Sequence, residues 1–188
     1  FGNLYMRVYK DGGQVLTGSA KSISGVTKAN PAVVTANSHG FNNGDDVFIT
    51  GVVGMTELNG RFFRVASETT NTFALTDYAG ANINSTAFTT YGSAGTAQKV
   101  FELTTPYAAA DIFELQYVQS ADVLTVTHPE YAPRDIARSD HDAWTITEIN
   151  FKPEQAFPTA LAVTVNSGGS ETDRYVVTAT NIVTGEES

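Results

Sequence analysis

The chain has 188 residues, 41% of them hydrophobic, with 20 acidic against 11 basic side chains and a formal charge of −9. That length is enough for one large or two small domains with a real core, and the acidity argues against a polyphosphate-binding surface. With no cysteine, disulfides, thiolate metal sites and cysteine nucleophiles are excluded together, and no apolar run approaches the roughly 20 residues needed to span a bilayer.

The chain opens on Phe1, with no basic-then-apolar leader pattern, and reads as a piece of a longer protein. Residues 4–9 alternate: Leu4, Met6 and Val8 share one face, and Tyr5, Arg7 and Tyr9 the other. Lys10-Asp11-Gly12-Gly13 predicts a hairpin turn, because glycine tolerates the positive φ such turns need, and Gln14–Thr17 returns as its partner. From Ile23 to about Gly95 the composition shifts toward Gly, Thr, Asn and Val. The best strands there are Ala32–Thr35, Asp46–Thr50, Arg61–Ala66 and Thr72–Thr76. Turn clusters separate them, with Asn-Gly at Asn43-Gly44 and Asn59-Gly60, a pattern that suits a small β-barrel.

Lys99–Leu103 reads as a strand, and Tyr107–Leu115, with its three consecutive alanines, as the one short helix. Ala121–His128 alternates, with Leu124, Val126 and His128 on one face. Pro129 and Pro133 then predict a broken turn. A strand restarts at Ala143, where Trp144, the only tryptophan, shares a face with Ile146, while Ile149 and Phe151 fall on the opposite parity. Beyond Phe151, Ala160–Asn166 and Arg174–Val183 read as strands.

Three resemblances overlie this pattern. The run from Ser120 to Phe151, with Ser120, Ala121, Asp122, His128, Pro129, Tyr131, Pro133, Arg134, Arg138, His141 and Trp144 at the matching positions, resembles a segment of structural proteins of phage and prophage tails. The hairpin YMRVYKDGGQV resembles the opening of the same proteins. His39-Gly40-Phe41, Gly44-Asp45, Gly51, Gly54-Met55, Leu58-Asn59-Gly60 and Thr72-Phe73 resemble the first catalytic cysteine half-domain of ubiquitin-activating enzymes. Without cysteine or an adenylation domain, none of that chemistry carries over. RYVVTATNIVTGEES resembles the early strands of fibronectin type III-like domains.

Together these readings predict an all-β fold. Residues 1–20 and 97–151 form a discontinuous body, 23–95 an inserted small barrel, and 157–188 a truncated fibronectin III-like segment of a β-sandwich.

Candidate chemistry is sparse. His39, His128 and His141 lack zinc-ligand spacing, and Asn42, Asn43, Asp45 and Asp46 lack the distal glutamate of a calcium loop, so they read as loop anchors and an Asx turn. No metal and no cofactor is expected. Arg134 and Arg138 lie among Asp135, Asp140 and Asp142 and suggest an ion network that fixes a loop or an interface. His128, Tyr131, Arg134, Arg138, His141 and Trp144 are therefore the structural or interface candidates, with Trp144 in the core. Phe41, Tyr78 and Tyr91 are candidate exposed aromatics on binding loops. No P-loop, G-x-S-x-G or H-E-x-x-H element is present, and no enzyme is expected.

The resemblance implies a virion component, made in the bacterial cytoplasm, that packs against copies of itself or neighbouring tail proteins without binding nucleic acid or inserting into membrane. The alternatives are a binding module for a host-surface glycan or protein, and a tail-associated glycan hydrolase with two facing carboxylates.

Overall fold

A computed structural model describes residues 1–151, 155–159, 176–185 and 187–188. It divides into two compact units, 1–147 and 148–188. The first unit is almost entirely β.

Three short strands begin it: β1 (Tyr5–Met6), β2 (Tyr9–Lys10) and β3 (Gly13–Gln14). The last two pair across the predicted turn, where Asp11 and Gly12 take φ of 53° and 81°. The chain then enters a seven-stranded antiparallel sheet. Its strands are β4 (Leu16–Ser22), β5 (Gly25–Val26), β6 (Val33–Thr35), β7 (Asp46–Val53), β8 (Arg61–Ala66), β9 (Thr72–Thr76) and β10 (Ser93–Val100), in the spatial order β4-β10-β7-β8-β9-β6-β5. Val47, Ile49, Phe63, Val65, Phe73 and Leu75 alternate inward and meet Met55 and Leu58 from the connecting turn, all within 1% of full burial. Gly54 permits that turn: it sits at φ 93°, and a Cβ there would lie 2.3 Å from the Thr90 carbonyl oxygen.

The expected barrel does not close. Strands β4 and β5 are the two edges and do not pair, although they are consecutive in the chain. Instead, Ile23 donates its N–H to Gly95 O at 2.9 Å and Ser24 donates to Thr35 O at 2.8 Å, so adjacent residues reach opposite sides of the sheet.

After β11 (Leu103–Thr104), which pairs with β1, a four-stranded meander follows: β12 (Gln116–Ser120), β13 (Val123–His128), β14 (Tyr131–Asp140) and β15 (Ala143–Glu148). Its inner face carries Leu124, Val126, Ile136, Trp144 and Ile146, packed with Met6 and Tyr107 in a core separate from that of the larger sheet.

Two expectations are corrected here. Tyr107–Leu115 is a series of turns and contains no helix. Tyr107 is fully buried, its carbonyl accepts the Leu4 N–H at 2.8 Å, and the Asn3 side chain takes the Ala109 N–H at 3.0 Å, so outside contacts hold the backbone. A nine-residue segment has little cooperative helix stability to set against them.

The broken turn at Pro129–Pro133 is a tight hairpin, and Pro133 lies inside β14. The register slips between Val126↔Arg134 and His128↔Tyr131, leaving Ala132 and Pro133 opposite Thr127. A bulge is where a strand can take a residue without an N–H.

Of the second unit, the expected strand Ala160–Asn166 lies outside the described residues, as does the start of Arg174–Val183. Its described part, 176–183, carries an isolated bridge from Thr180 to Glu187. Among the described residues, no helix is long and apolar enough to cross a membrane.

Candidate functional site

Two places in the first unit gather charged and aromatic side chains. One is a junction centred on Asp46, whose side chain is 2% exposed. Strand register sets Arg64 directly opposite it, and Arg64 Nε donates to Asp46 Oδ1 at 3.1 Å. Arg7 arrives from the segment between β1 and β2 and pairs with Asp46 Oδ2, while also donating to Glu102 Oε2 at 3.1 Å. Its guanidinium lies 4.8 Å from the Tyr5 ring centre and 5.6 Å from that of Tyr78.

Burial alone would lower the Arg7 pKa, but Asp46 and Glu102 more than offset it, and the group is held above its ordinary range. The hydrogen bond to Asp46 raises that of Arg64, and burial raises the Tyr78 phenol. This buried acid between two cations joins the small strands to the large sheet.

The other oxygens of the loop are also engaged. Asp45 accepts the Asn42 N–H at 2.8 Å and pairs with Lys99 at 2.7 Å, and Asn43 accepts the Glu68 N–H at 3.2 Å. Among the described residues, no three His, Asp or Glu side chains come together as a metal site.

The second place is a groove of about 610 Å³ beside Trp144. Its floor is Met6, Val8, Leu124 and Trp144, and its rim includes Lys10, Gln119, Asp122, Arg138 and His141. Trp144 is partly buried, and its indole N–H donates to His141 O at 2.9 Å. Arg138 does not use the acids nearest in sequence. Asp122 lies across the hairpin from it, and Arg138 Nε and Nη2 donate to Asp122 Oδ1 at 2.9 and 2.7 Å. Nη1 lies 3.4 Å from His141 Nδ1. Asp135 instead accepts the Thr125 hydroxyl at 2.6 Å, and Asp140 accepts the His141 N–H at 2.6 Å.

The remaining predicted residues are spread out. His128 accepts the Glu130 N–H on Nδ1 at 3.1 Å and meets the Tyr131 ring edge-on at 5.0 Å. The Tyr131 hydroxyl donates to Asp111 at 2.5 Å, which raises its pKa. Arg134 projects to the inner face in register with Val126.

Among the expected exposed aromatics, only Tyr78 is open, at 48%. Phe41 is buried, stacked on His39 at 5.1 Å and edge-on to Phe73 at 5.5 Å. Tyr91 packs against the core, and its hydroxyl lies 2.9 Å from Ile23 O and 3.0 Å from Ala94 O. Nothing in the local pattern around Arg7 or Asp46 pairs them, because 39 residues of chain separate the two and only the fold brings them together.

No curated protein matches the chain. Residues 29–100 match the family model described as "Ubiquitin-activating enzyme E1 FCCH domain", a small domain of those enzymes that is not itself catalytic. The matched stretch runs through β6–β10. The motif residues His39, Phe41, Met55, Leu58 and Phe73 are all buried, so the likeness lies in core and turn positions.

Proposed function

We propose that this chain is a structural part of a bacteriophage or prophage tail, acting by assembly and packing and not by catalysis. Within it, the insert expected at 23–95, widened to take in the whole seven-stranded sheet from Leu16 to Val100, interrupts a β-rich body. The likeness of Ser120–Trp144 to tail proteins supports the setting.

The observation that carries the assembly role is β12. It is an edge of the meander, all five of its residues are exposed, and it bears no charge, proline or glycine. Tyr117 and Val118 are 73% and 67% exposed. Natural edge strands are usually blunted by such residues, and an edge left open is suited to adding a strand from a neighbour.

Mass spectrometry of purified particles from a producing culture should find the parent polypeptide in them. Finding it in the cell lysate but absent from the particles would sink the reading. In sedimentation, the chain should associate as concentration rises, and Val118→Lys should stay monomeric.

A further inference from the structure

We infer that β12 pairs with β12 of a second copy of this chain, antiparallel about a two-fold axis through Val118. The inference rests on the assembly reading above and names the partner of that edge. Register decides which backbone groups are free. The two-residue turn Ala121-Asp122 joins β12 to β13 and sets Ser120 opposite Val123. Such a turn closes on a hydrogen-bonded pair, and hydrogen-bonded pairs recur at every second residue. Val118 and Gln116 therefore turn their N–H and C=O toward β13, while Tyr117 and Gln119 turn theirs to the open edge. These two outward residues lie symmetrically about Val118, the middle residue of the strand.

A two-fold at Val118 sets Tyr117 opposite Gln119 of the second copy, and the reverse. Each of those pairs exchanges both its bonds, and every outward group of Tyr117 and Gln119 is used. Gln116 falls opposite Ser120, and Val118 falls opposite itself at the closer, non-hydrogen-bonded spacing. The side chains match as well. Tyr117 is opposite Val126 and so lies on the inner face of the meander, yet it is 73% exposed. Val118, opposite Thr125 on the outer face, is 67% exposed. About this axis the two Tyr117 rings become diagonal neighbours, a separation that aromatic side chains span, and the two Val118 side chains touch. Both apolar side chains that the edge leaves in water thus meet their own counterparts. A charged strand paired with itself would set like charges together, and QYVQS carries none. Just beyond the strand, Glu114 falls opposite Asp122, whose carboxylate Arg138 already holds. The meander's other edge, β15, ends on Glu148, and joining it to β12 would build open chains instead of closed pairs.

The chain has no cysteine, so each single-cysteine variant of the full chain reports on one position. Val118→Cys should melt as the native chain does, since the position is exposed. In a glutathione redox buffer it should form disulfide-linked dimers about tenfold or more faster than Thr70→Cys, an exposed bend of the larger sheet that measures random collision. Tyr117→Cys and Gln119→Cys should each link slowly alone and faster when the two variants are mixed, because the two-fold sets those positions opposite each other. Equal rates for Val118→Cys and Thr70→Cys overturn the inference, as does growth of the native chain past dimers in sedimentation. The assembly reading survives both results if the native chain still associates and Val118→Lys does not. A native chain that stays monomeric at every concentration, with no linked Val118→Cys dimer, removes the inference and the assembly role together.

Discussion

Phe101 donates its backbone N–H to the carbonyl of Val15 at 2.8 Å, one residue beyond the Leu16↔Val100 pair that closes the seven-stranded sheet. The chain thus leaves that sheet beside the point where it entered. The sheet also has its own core, which favours an autonomous unit. Residues 16–100 expressed alone should fold and melt cooperatively. A fragment cut to 29–100 loses β4, β5 and Ile23, and should be unfolded or much less stable by calorimetry. Equal stability of the two fragments would show that β4 is an accessory strand.

Asp46 is the acid whose loss should cost most. Asp46→Asn takes the carboxylate from Arg64 and leaves Arg7, 11% exposed, with Glu102 alone. Breaking a buried pair in this way costs about 3–5 kcal/mol. Arg7→Met should cost less, since Asp46 keeps Arg64. Urea unfolding of both variants and their double mutant would check the order.

Phe41→Ala should destabilise the chain by about 3–5 kcal/mol, as a truncation of a buried aromatic. Trp144→Ala, at a partly buried position, should cost roughly 1–3 kcal/mol. A Phe41 variant of undiminished stability would return that side chain to the surface.

The Glu57 carboxyl accepts the Thr89 N–H at 2.7 Å and its hydroxyl at 3.0 Å, and the Thr89 backbone bond lowers its pKa. A carboxyl with a depressed folded pKa adds stability above its ordinary pKa and loses it as pH falls through the folded value. Melting temperatures of the native chain and Glu57→Gln should therefore differ at neutral pH and converge in acid. A difference that persists below the carboxyl range would assign the effect to packing.

Much of the fold is written in local patterns. Arg61–Ala66 and Thr72–Thr76 have the bounds their alternation predicts, because one buried face fixes strand register. The turn at Asp11-Gly12 follows from the same local chemistry. What escaped prediction depends on distant partners. Phe41 looks exposed beside Gly40 until Phe73 closes over it. Arg138 has three acids within four residues, Asp135, Asp140 and Asp142, yet pairs with Asp122, which strand register brings across the hairpin. Helix propensity in Ala108–Ala110 yields to the burial of Tyr107.

The bonds from Ile23 to Gly95 and from Ser24 to Thr35 have a consequence for crowding. An open sheet normally presents two rows of unpaired backbone groups to any neighbouring chain. Here one continuous segment supplies both borders, and each bond runs inward to the neighbouring strand, Ile23 to β10 and Ser24 to β6, so the outer rows of β4 and β5 stay open. The meander keeps an unguarded border at β12. Among the longer edge strands, β4 carries Lys21 and β15 carries Glu148, whereas β12 carries no charge.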